Sequence, residues 1–165
     1  MNLRLSEETI NKNSPYKVSL DSHNEIIFTT DNGCNMRVGF TDDYMISERG
    51  VFQFFIINQL KTPSLRDAKL RATIQLIFEC FFEEKNRVAV YICDSMDGKQ
   101  HIRNRLFQMW FNSYLHKENY TLQTATINFD GISYYSAMLI HKDNADYGVY
   151  LQLYQRFIEQ LTEKL

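Results

Sequence analysis

The fold is decided by the stretch Arg87-Val88-Ala89-Val90-Tyr91-Ile92-Cys93-Asp94-Ser95-Met96-Asp97-Gly98-Lys99-Gln100-His101-Ile102-Arg103-Asn104-Arg105-Leu106-Phe107-Gln108-Met109-Trp110-Phe111. The apolar run at its start is typical of a buried strand, and the polar residues 93–101 predict a tight turn. The spacing then becomes helical, with Ile102, Leu106, Met109, Trp110 and Ser113 on the face expected to be buried. No other segment places so many reactive side chains in one connection.

The hydrophobic spacing predicts six further strands and two further helices outside this stretch. The strands are expected at 16–20, 25–30, 35–40, 51–60, 120–127 and 133–140, and the helices at 65–84 and 147–165, with the helix of the opening stretch at 98–116. Asp31-Asn32-Gly33 and Asp130-Gly131 predict hairpin turns, because these residues tolerate a positive φ. Ser64 is expected to cap the 65–84 helix, with Asp67 three residues on.

The connection from the 51–60 strand through a helix to the 88–92 strand predicts a right-handed crossover and therefore a parallel pair. The expected fold is α+β: a single mixed, mostly antiparallel sheet of about seven strands with three main helices, in the order ββββ-α-β-α-ββ-α. Residues 1–165 are expected to form a single domain, with 1–14 as a loose N-terminal arm.

Composition excludes several classes of function. The net charge of −2 argues against a protein held on nucleic acid by phosphate contacts. Cys34, Cys80 and Cys93 show no metal-ligand spacing, and the four histidines form no ligand pattern, so we expect reduced thiols and no metal site. No apolar run approaches the roughly 20 residues of a membrane span, so a soluble cytoplasmic protein is the expectation. The oligomeric state stays open.

Asp94, Ser95 and Asp97 follow the 88–92 strand, where open α/β sheets place ligands. A carboxylate there could act as a base or anchor a cationic group, and Ser95 could donate to a reaction intermediate. The structural alternative is that Ser95 or Asp97 caps the next helix while Asp94 holds the turn. Cys93 likewise is either a nucleophile near His101 or a small buried side chain whose pKa the neighbouring carboxylate raises.

Lys99, Arg103 and Arg105 give the 98–116 helix a basic face that suits an anionic ligand or partner. Cations near a helix N-terminus are poorly placed for the dipole, which favours a role in binding. The alternative is a solvated face with salt bridges to Glu79, Glu83 or Glu84.

From residue 25 to 141 the order of elements resembles the core of the GNAT-type N-acyltransferase fold. The resemblance implies an acyl-CoA-dependent N-acyltransferase with an altered or lost cofactor site, using acetyl-CoA or another acyl-CoA. Its cleft would lie between the 51–60 and 88–92 strands, near Ile57, Asn58, Asp94 and Ser95. In place of that family's glycine-rich pyrophosphate loop stands Gln59–Asp67, which has no glycine, and Lys61, Ser64 and Arg66 would compensate. By position, Tyr147 (or Tyr150) would match the tyrosine that acts as general acid.

Cys93-Asp94-Ser95-Met96-Asp97-Gly98, followed by arginine and by Phe107-Gln108-Met109-Trp110-Phe111, is similar to a small bacterial family of proteins of unknown function. This second resemblance implies no activity. It leaves open the alternative function, a non-catalytic binding or regulatory module whose aromatic and basic surface contacts a protein partner or an anionic ligand.

Overall fold

The structure is a computed structural model that describes residues 2–58, 66–93 and 95–164. Its elements are α1 (Glu7–Asn11), β1 (Ser19–Leu20), β2 (Ile26–Thr29), β3 (Asn35–Asp42), β4 (Val51–Asn58), α2 (Ala68–Phe81), β5 (Val88–Cys93), α3 (Gln100–Asn112), a 3₁₀ turn (Lys117–Asn119), β6 (Tyr120–Phe129), β7 (Ile132–His141) and α4 (Tyr147–Lys164). The seven strands form one sheet in the order β1-β2-β3-β4-β5-β7-β6. The predicted α+β class and mixed sheet are confirmed.

The central strands pair as the crossover predicted. β4 and β5 run parallel, with Val51–Gln53 opposite Val88–Val90. The pairs β1–β2, β2–β3, β5–β7 and β6–β7 are antiparallel, so the sheet is mostly antiparallel as expected. β7 rather than β6 lies beside β5, so the hairpin leaves β6 at one end of the sheet order.

The prediction for the start of α2 is wrong in one respect. The helix begins at Ala68, and Asp67 is its N-cap, with the side chain accepting a hydrogen bond from the Leu70 amide at 2.8 Å. Tyr16 fixes that carboxylate further, because its hydroxyl donates to Asp67 at 2.7 Å. Ser64, the cap that the sequence predicted, lies outside the described residues.

The segment predicted to be a loose N-terminal arm contains a short helix and contacts β3 through its backbone. α1 starts after Ser6, whose hydroxyl accepts from the Thr9 amide at 3.2 Å. Ile10 is only 1% exposed, and Leu5 is buried as well. The Leu3 amide donates to the Phe40 carbonyl at 2.7 Å. The sequence did not show this because α1 has five residues, too few for a clear helical period.

Two compact units make up the chain, and whether they fold as a single domain stays a prediction. The first unit comprises Met1–Asp42 and Phe54–Glu84. Its core is aromatic: the rings of Phe40 and Phe81 stack with centroids 4.2 Å apart, and Phe54 lies 4.8 Å from Phe78. The Phe55 ring occupies the space that a Cβ of Gly39 would fill, so a side chain there would displace the ring.

The second unit comprises Asp43–Gln53 and Lys85–Leu165. One face of its sheet buries the aliphatic side chains of β5 and β7 against α4. These side chains are Val88, Val90, Met138 and Ile140, and they pack with Tyr154 and Phe157. On the other face Tyr91 packs against Phe107 of α3, with ring centroids 4.6 Å apart.

The β6–β7 hairpin confirms the turn predicted at Asp130-Gly131. Both residues have positive φ, 49° and 75°, as a two-residue hairpin turn requires. The register then continues without interruption over ten pairs, from Phe129 opposite Ile132 to Tyr120 opposite His141. No helix within the described ranges is long and apolar enough to cross a membrane.

Candidate functional site

The connection from β5 to α3 is a short turn, of which Ser95–Lys99 is described. The Gly98 amide donates to the Ser95 carbonyl at 3.1 Å, and Gly98 has a φ of +67°, a value that favours glycine. Asp97 accepts a hydrogen bond from the Lys99 amide at 3.0 Å. Lys99 itself is the N-cap of α3 and makes no side-chain cap bond. Asp97 therefore holds the turn, while Asp94 lies outside the described residues.

Arg103 and Asp97 form a two-pronged ion pair across this turn. One guanidinium nitrogen lies 2.8 Å from Oδ2 of Asp97, and the other lies 2.9 Å from Oδ1. The Arg103 hydrogen bonds, aided by the Lys99 amide, lower the pKa of the Asp97 carboxyl. Asp97 is thus held as a carboxylate that already has its cation, and the fork of Arg103, predicted to bind an anion, faces Asp97.

The remaining basic residues of this region are exposed. Lys99, His101 and Arg105 all lie on the surface around the first two turns of α3. No aspartate or glutamate occurs between Asp97 and Glu118. Exposed apolar side chains accompany them, with Met96 92% exposed and Met109 47% exposed. Exposure of Met109 and Ser113 corrects the prediction that both lie on the buried face of α3. We call Met96, Lys99, His101, Arg105 and Met109 the α3 surface.

The structure favours the structural interpretation of Cys93. The side chain is buried, with 2% of its surface exposed. Burial raises the pKa of the Cys93 thiol to about 11, and the charge of Arg103 opposes this only in part. Since the thiolate is the nucleophilic form, Cys93 is a neutral packed side chain at pH 7.

Tyr147 and Ser95 lie at opposite ends of the second unit's sheet. The Tyr147 hydroxyl is 2.7 Å from the hydroxyl of Thr121, which is opposite Ile140, the partner of Val88. Ser95 follows Cys93, at the other end of β5. Five residues of strand separate the two positions, about 17 Å at 3.3–3.4 Å per residue. The structure therefore does not bring these two predicted catalytic residues together.

The residues predicted to bind a cofactor lie partly beyond what the structure describes. Lys61 and Ser64 are outside the described residues. In the first unit, Ile57 is exposed and Asn58 is half-buried at the end of β4, and Arg66 is exposed just before α2. Their role in coenzyme binding stays a prediction.

Sequence reasoning missed a set of hydrogen-bonded side chains inside the second unit. Tyr154, buried on α4, donates its hydroxyl to Ser136 of β7 at 3.1 Å. Burial raises the pKa of Tyr154 to about 12. Tyr91 donates to Asn104 of α3 at 3.4 Å, and burial raises the pKa of Tyr91 as well. The signal in the sequence was Tyr91, a tyrosine inside an otherwise apolar strand, whose buried hydroxyl needs a hydrogen-bond partner. Within the described ranges, no group of three acidic, histidine or cysteine side chains could hold a metal ion.

The comparison with known proteins defines a family rather than an activity. Residues 66–156, from just before α2 into α4, match a family model described as "Family of unknown function (DUF6169)". This match spans more than half of the chain, so the chain belongs to that family. It agrees with the expected family of unknown function, and residues 93–111 lie inside it. No curated protein and no solved structure matches the chain, and the acyltransferase resemblance is not confirmed.

Proposed function

We propose that this protein is a non-catalytic binding module whose α3 surface contacts an acidic segment of a protein partner. One observation carries the proposal: the twenty residues from Gly98 to Lys117 contain basic side chains and no acidic one, in a chain whose net charge is −2. Charge separated in this way, within one helix and its flanking turns, gives a local positive potential that attracts an anionic partner.

Local stability does not account for this charge distribution. The first turn of α3 has no acidic residue and the N-cap makes no side-chain bond, while Asp97, the carboxylate just before α3, is already paired with Arg103. Lys99 stands at that end although a cation there is unfavourable by a few tenths of a kcal/mol or more. A cation at an unfavourable place is better explained by what it binds.

The apolar members of the α3 surface support a protein partner over a small anion. Met96 and Met109 are exposed in the same stretch of chain as the basic side chains. Methionine is flexible and polarizable, so it adapts to partner surfaces of varied shape. A site for a free small anion would need convergent donors rather than exposed thioethers.

Binding of fluorescent polyglutamate and polylysine peptides, measured by anisotropy at low and high salt, tests the proposal. We expect polyglutamate to bind, polylysine not to bind, and affinity to fall as salt rises. The double variant that combines Lys99→Glu with Arg105→Glu should weaken binding about tenfold or more, because two attractive charges become repulsive. Arg156→Glu, on the exposed face of α4, is the matched control and should change affinity little. Equal losses from both variants would contradict the assignment to α3.

A second candidate is an acyl-CoA-dependent N-acyltransferase with an altered cofactor site. The observation in its favour is the parallel β4–β5 pair inside an otherwise mostly antiparallel sheet, with the meander, helix, strand, helix and hairpin in the family's order. Calorimetric titration with acetyl-CoA tests it. Saturable heat that Arg66→Ala reduces would support this candidate, and no heat at millimolar ligand would remove it.

A further inference from the structure

β6 is the last strand in the order of the sheet. It has ten residues, pairs with β7 along its whole length, and has no neighbour on its other side among the described strands. A strand in this position presents a row of backbone N–H and C=O groups that another strand can bind.

The register shows which residues of β6 present these groups outward. The Asn119 carbonyl accepts from the Lys142 amide at 2.8 Å, so the carbonyl of residue 119 points toward β7. In an antiparallel pair the direction alternates from residue to residue. The groups that point away from β7 therefore belong to Leu122, Thr124, Thr126 and Asn128. At Tyr120 only the carbonyl remains, because its N–H donates to the Lys117 carbonyl.

This edge lacks the features by which sheets discourage edge pairing. β6 contains no proline and no charged residue, and the ten consecutive pairs with β7 leave no room for a bulge. Thr124 and Thr126 are exposed, and threonine favours extended structure. A long, uncharged edge strand can therefore pair with another strand.

We propose that β6 pairs antiparallel with β6 of a second copy of this chain, about a two-fold axis at Thr124. With this centre, Thr124 lies opposite its own counterpart, Leu122 lies opposite Thr126, and Tyr120 lies opposite Asn128. Leu122, Thr124 and Thr126 then exchange both backbone hydrogen bonds with the second copy, and the Asn128 amide donates to the Tyr120 carbonyl. The proposal is independent of the binding function assigned to α3.

Charge favours a second copy in this orientation. Because β6 itself is uncharged, pairing it with itself brings no like charges together. The two ends of the strand differ in sign: Lys117, Glu118 and Lys142 flank the start, and Asp130 is at the hairpin tip. When this register is extended, Glu118 of one copy falls opposite Asp130 of the other, but Lys117 and Lys142 leave that end net positive, whereas parallel pairing would bring two net positive ends together.

Two substitutions at Thr124 test the register directly. Thr124→Lys places two lysines opposite each other at the axis, and Thr124→Glu places two glutamates there, so each variant alone should be a monomer. An equimolar mixture of the two should form a mixed dimer, because lysine then faces glutamate. Thr162→Lys, an exposed threonine on α4, is the control and should dimerise like the unmodified chain.

Sedimentation equilibrium of the full chain from micromolar to sub-millimolar concentration gives the readout, and circular dichroism checks that the variants fold. We expect a dimer that Thr124→Lys and Thr124→Glu abolish separately and that their mixture restores. If the unmodified chain is a monomer, the proposal is wrong, even if that monomer binds an extended peptide at β6. A dimer that either substitution leaves intact, or a mixture that stays monomeric, would also overturn it.

Discussion

The two edge strands of the sheet are built in opposite ways. Side chains cover the backbone along β1 and the residues just before it. The amides of Tyr16, Val18 and Leu20 donate to side-chain oxygens of Thr73, Asn11 and Glu7, at 3.4, 2.8 and 2.8 Å respectively. The Val18 carbonyl also accepts from Asn11 at 2.8 Å. β6 has ten residues against two in β1, and in the described part of the chain no side chain hydrogen-bonds to the backbone of its residues 121–129.

The difference shows that an open edge is not a general property of this chain. Two of the three covering side chains, Glu7 and Asn11, come from α1, so the short N-terminal helix has a specific use in closing the β1 edge. Unpaired edges promote association with other chains, and proteins commonly block them. A blocked β1 edge together with an open and longer β6 edge is the pattern expected if β6 pairs with β6 of a second copy.

Removing the anchor of the covering helix should have the largest effect. Ile10 fixes α1, and Ile10→Ala should lower the free energy of unfolding by about 2–5 kcal/mol, the range for deleting a buried isoleucine side chain. Urea denaturation followed by circular dichroism measures it. Val149→Ala, on the exposed side of α4, is the control and should cost far less. Similar losses in the two variants would mean that α1 does not hold the β1 edge.

Removing the cover itself should have the next largest effect. Asn11→Ala deletes two hydrogen bonds to Val18 and should destabilise the fold by about 2 kcal/mol, at roughly 1 kcal/mol for each bond. Asn13→Ala, at an exposed asparagine two residues on, should change little. The Asn11 variant should also gain a tendency to associate at high concentration, because the β1 edge is then open. No gain would weaken the comparison of the edges.

The packing of α4 against β7, the strand next to β6, can be tested through the pH dependence of stability. Tyr154→Phe removes the hydrogen bond to Ser136 and should cost about 1 kcal/mol at neutral pH. Burial raises the pKa of Tyr154 from 10 to about 12, so the folded state keeps a proton that the unfolded chain loses. Stability should therefore fall between pH 10 and pH 12, and less steeply in Tyr154→Phe. An unchanged slope would contradict a buried neutral Tyr154. Tyr44→Phe, at a tyrosine that is 71% exposed, is the control.

The smallest effect is expected at the bare edge. Thr126→Lys should change the free energy of unfolding by less than about 0.5 kcal/mol, because the side chain is exposed. The measurement needs a protein concentration low enough for the chain to be monomeric. A larger loss would mean that Thr126 has a contact within its own chain.

Hydrophobic spacing predicted most of this fold because the long elements bury one face each. The order of elements, the parallel β4–β5 pair and the Asp130-Gly131 turn follow from local residue patterns. The cover of the β1 edge could not be predicted, since it depends on side chains such as Asn11 meeting a backbone seven residues away. The placement of β7 beside β5, which leaves β6 at the edge, is also a tertiary choice.

The candidate site was harder to predict than the fold. The basic residues of α3 were visible in the sequence, but the pairing of Arg103 with Asp97 was not, because either partner had several alternatives. Tyr147 was assigned by analogy of position, and only the strand register showed that it lies far from Ser95. The sequence shows which reactive side chains are present, whereas the strand register determines which of them lie close enough to act together.

Amide hydrogen exchange at low and high protein concentration tests the central claim most directly, because it reads both edges in one experiment. We predict that the amides of Val18 and Leu20 are protected to the same degree at every concentration, since their acceptors lie in the same chain. We predict that the amides of Leu122, Thr124 and Thr126 exchange fast in dilute solution and become protected as concentration rises. Fast exchange of these three amides at every concentration, or protection of them in dilute solution, would contradict the account.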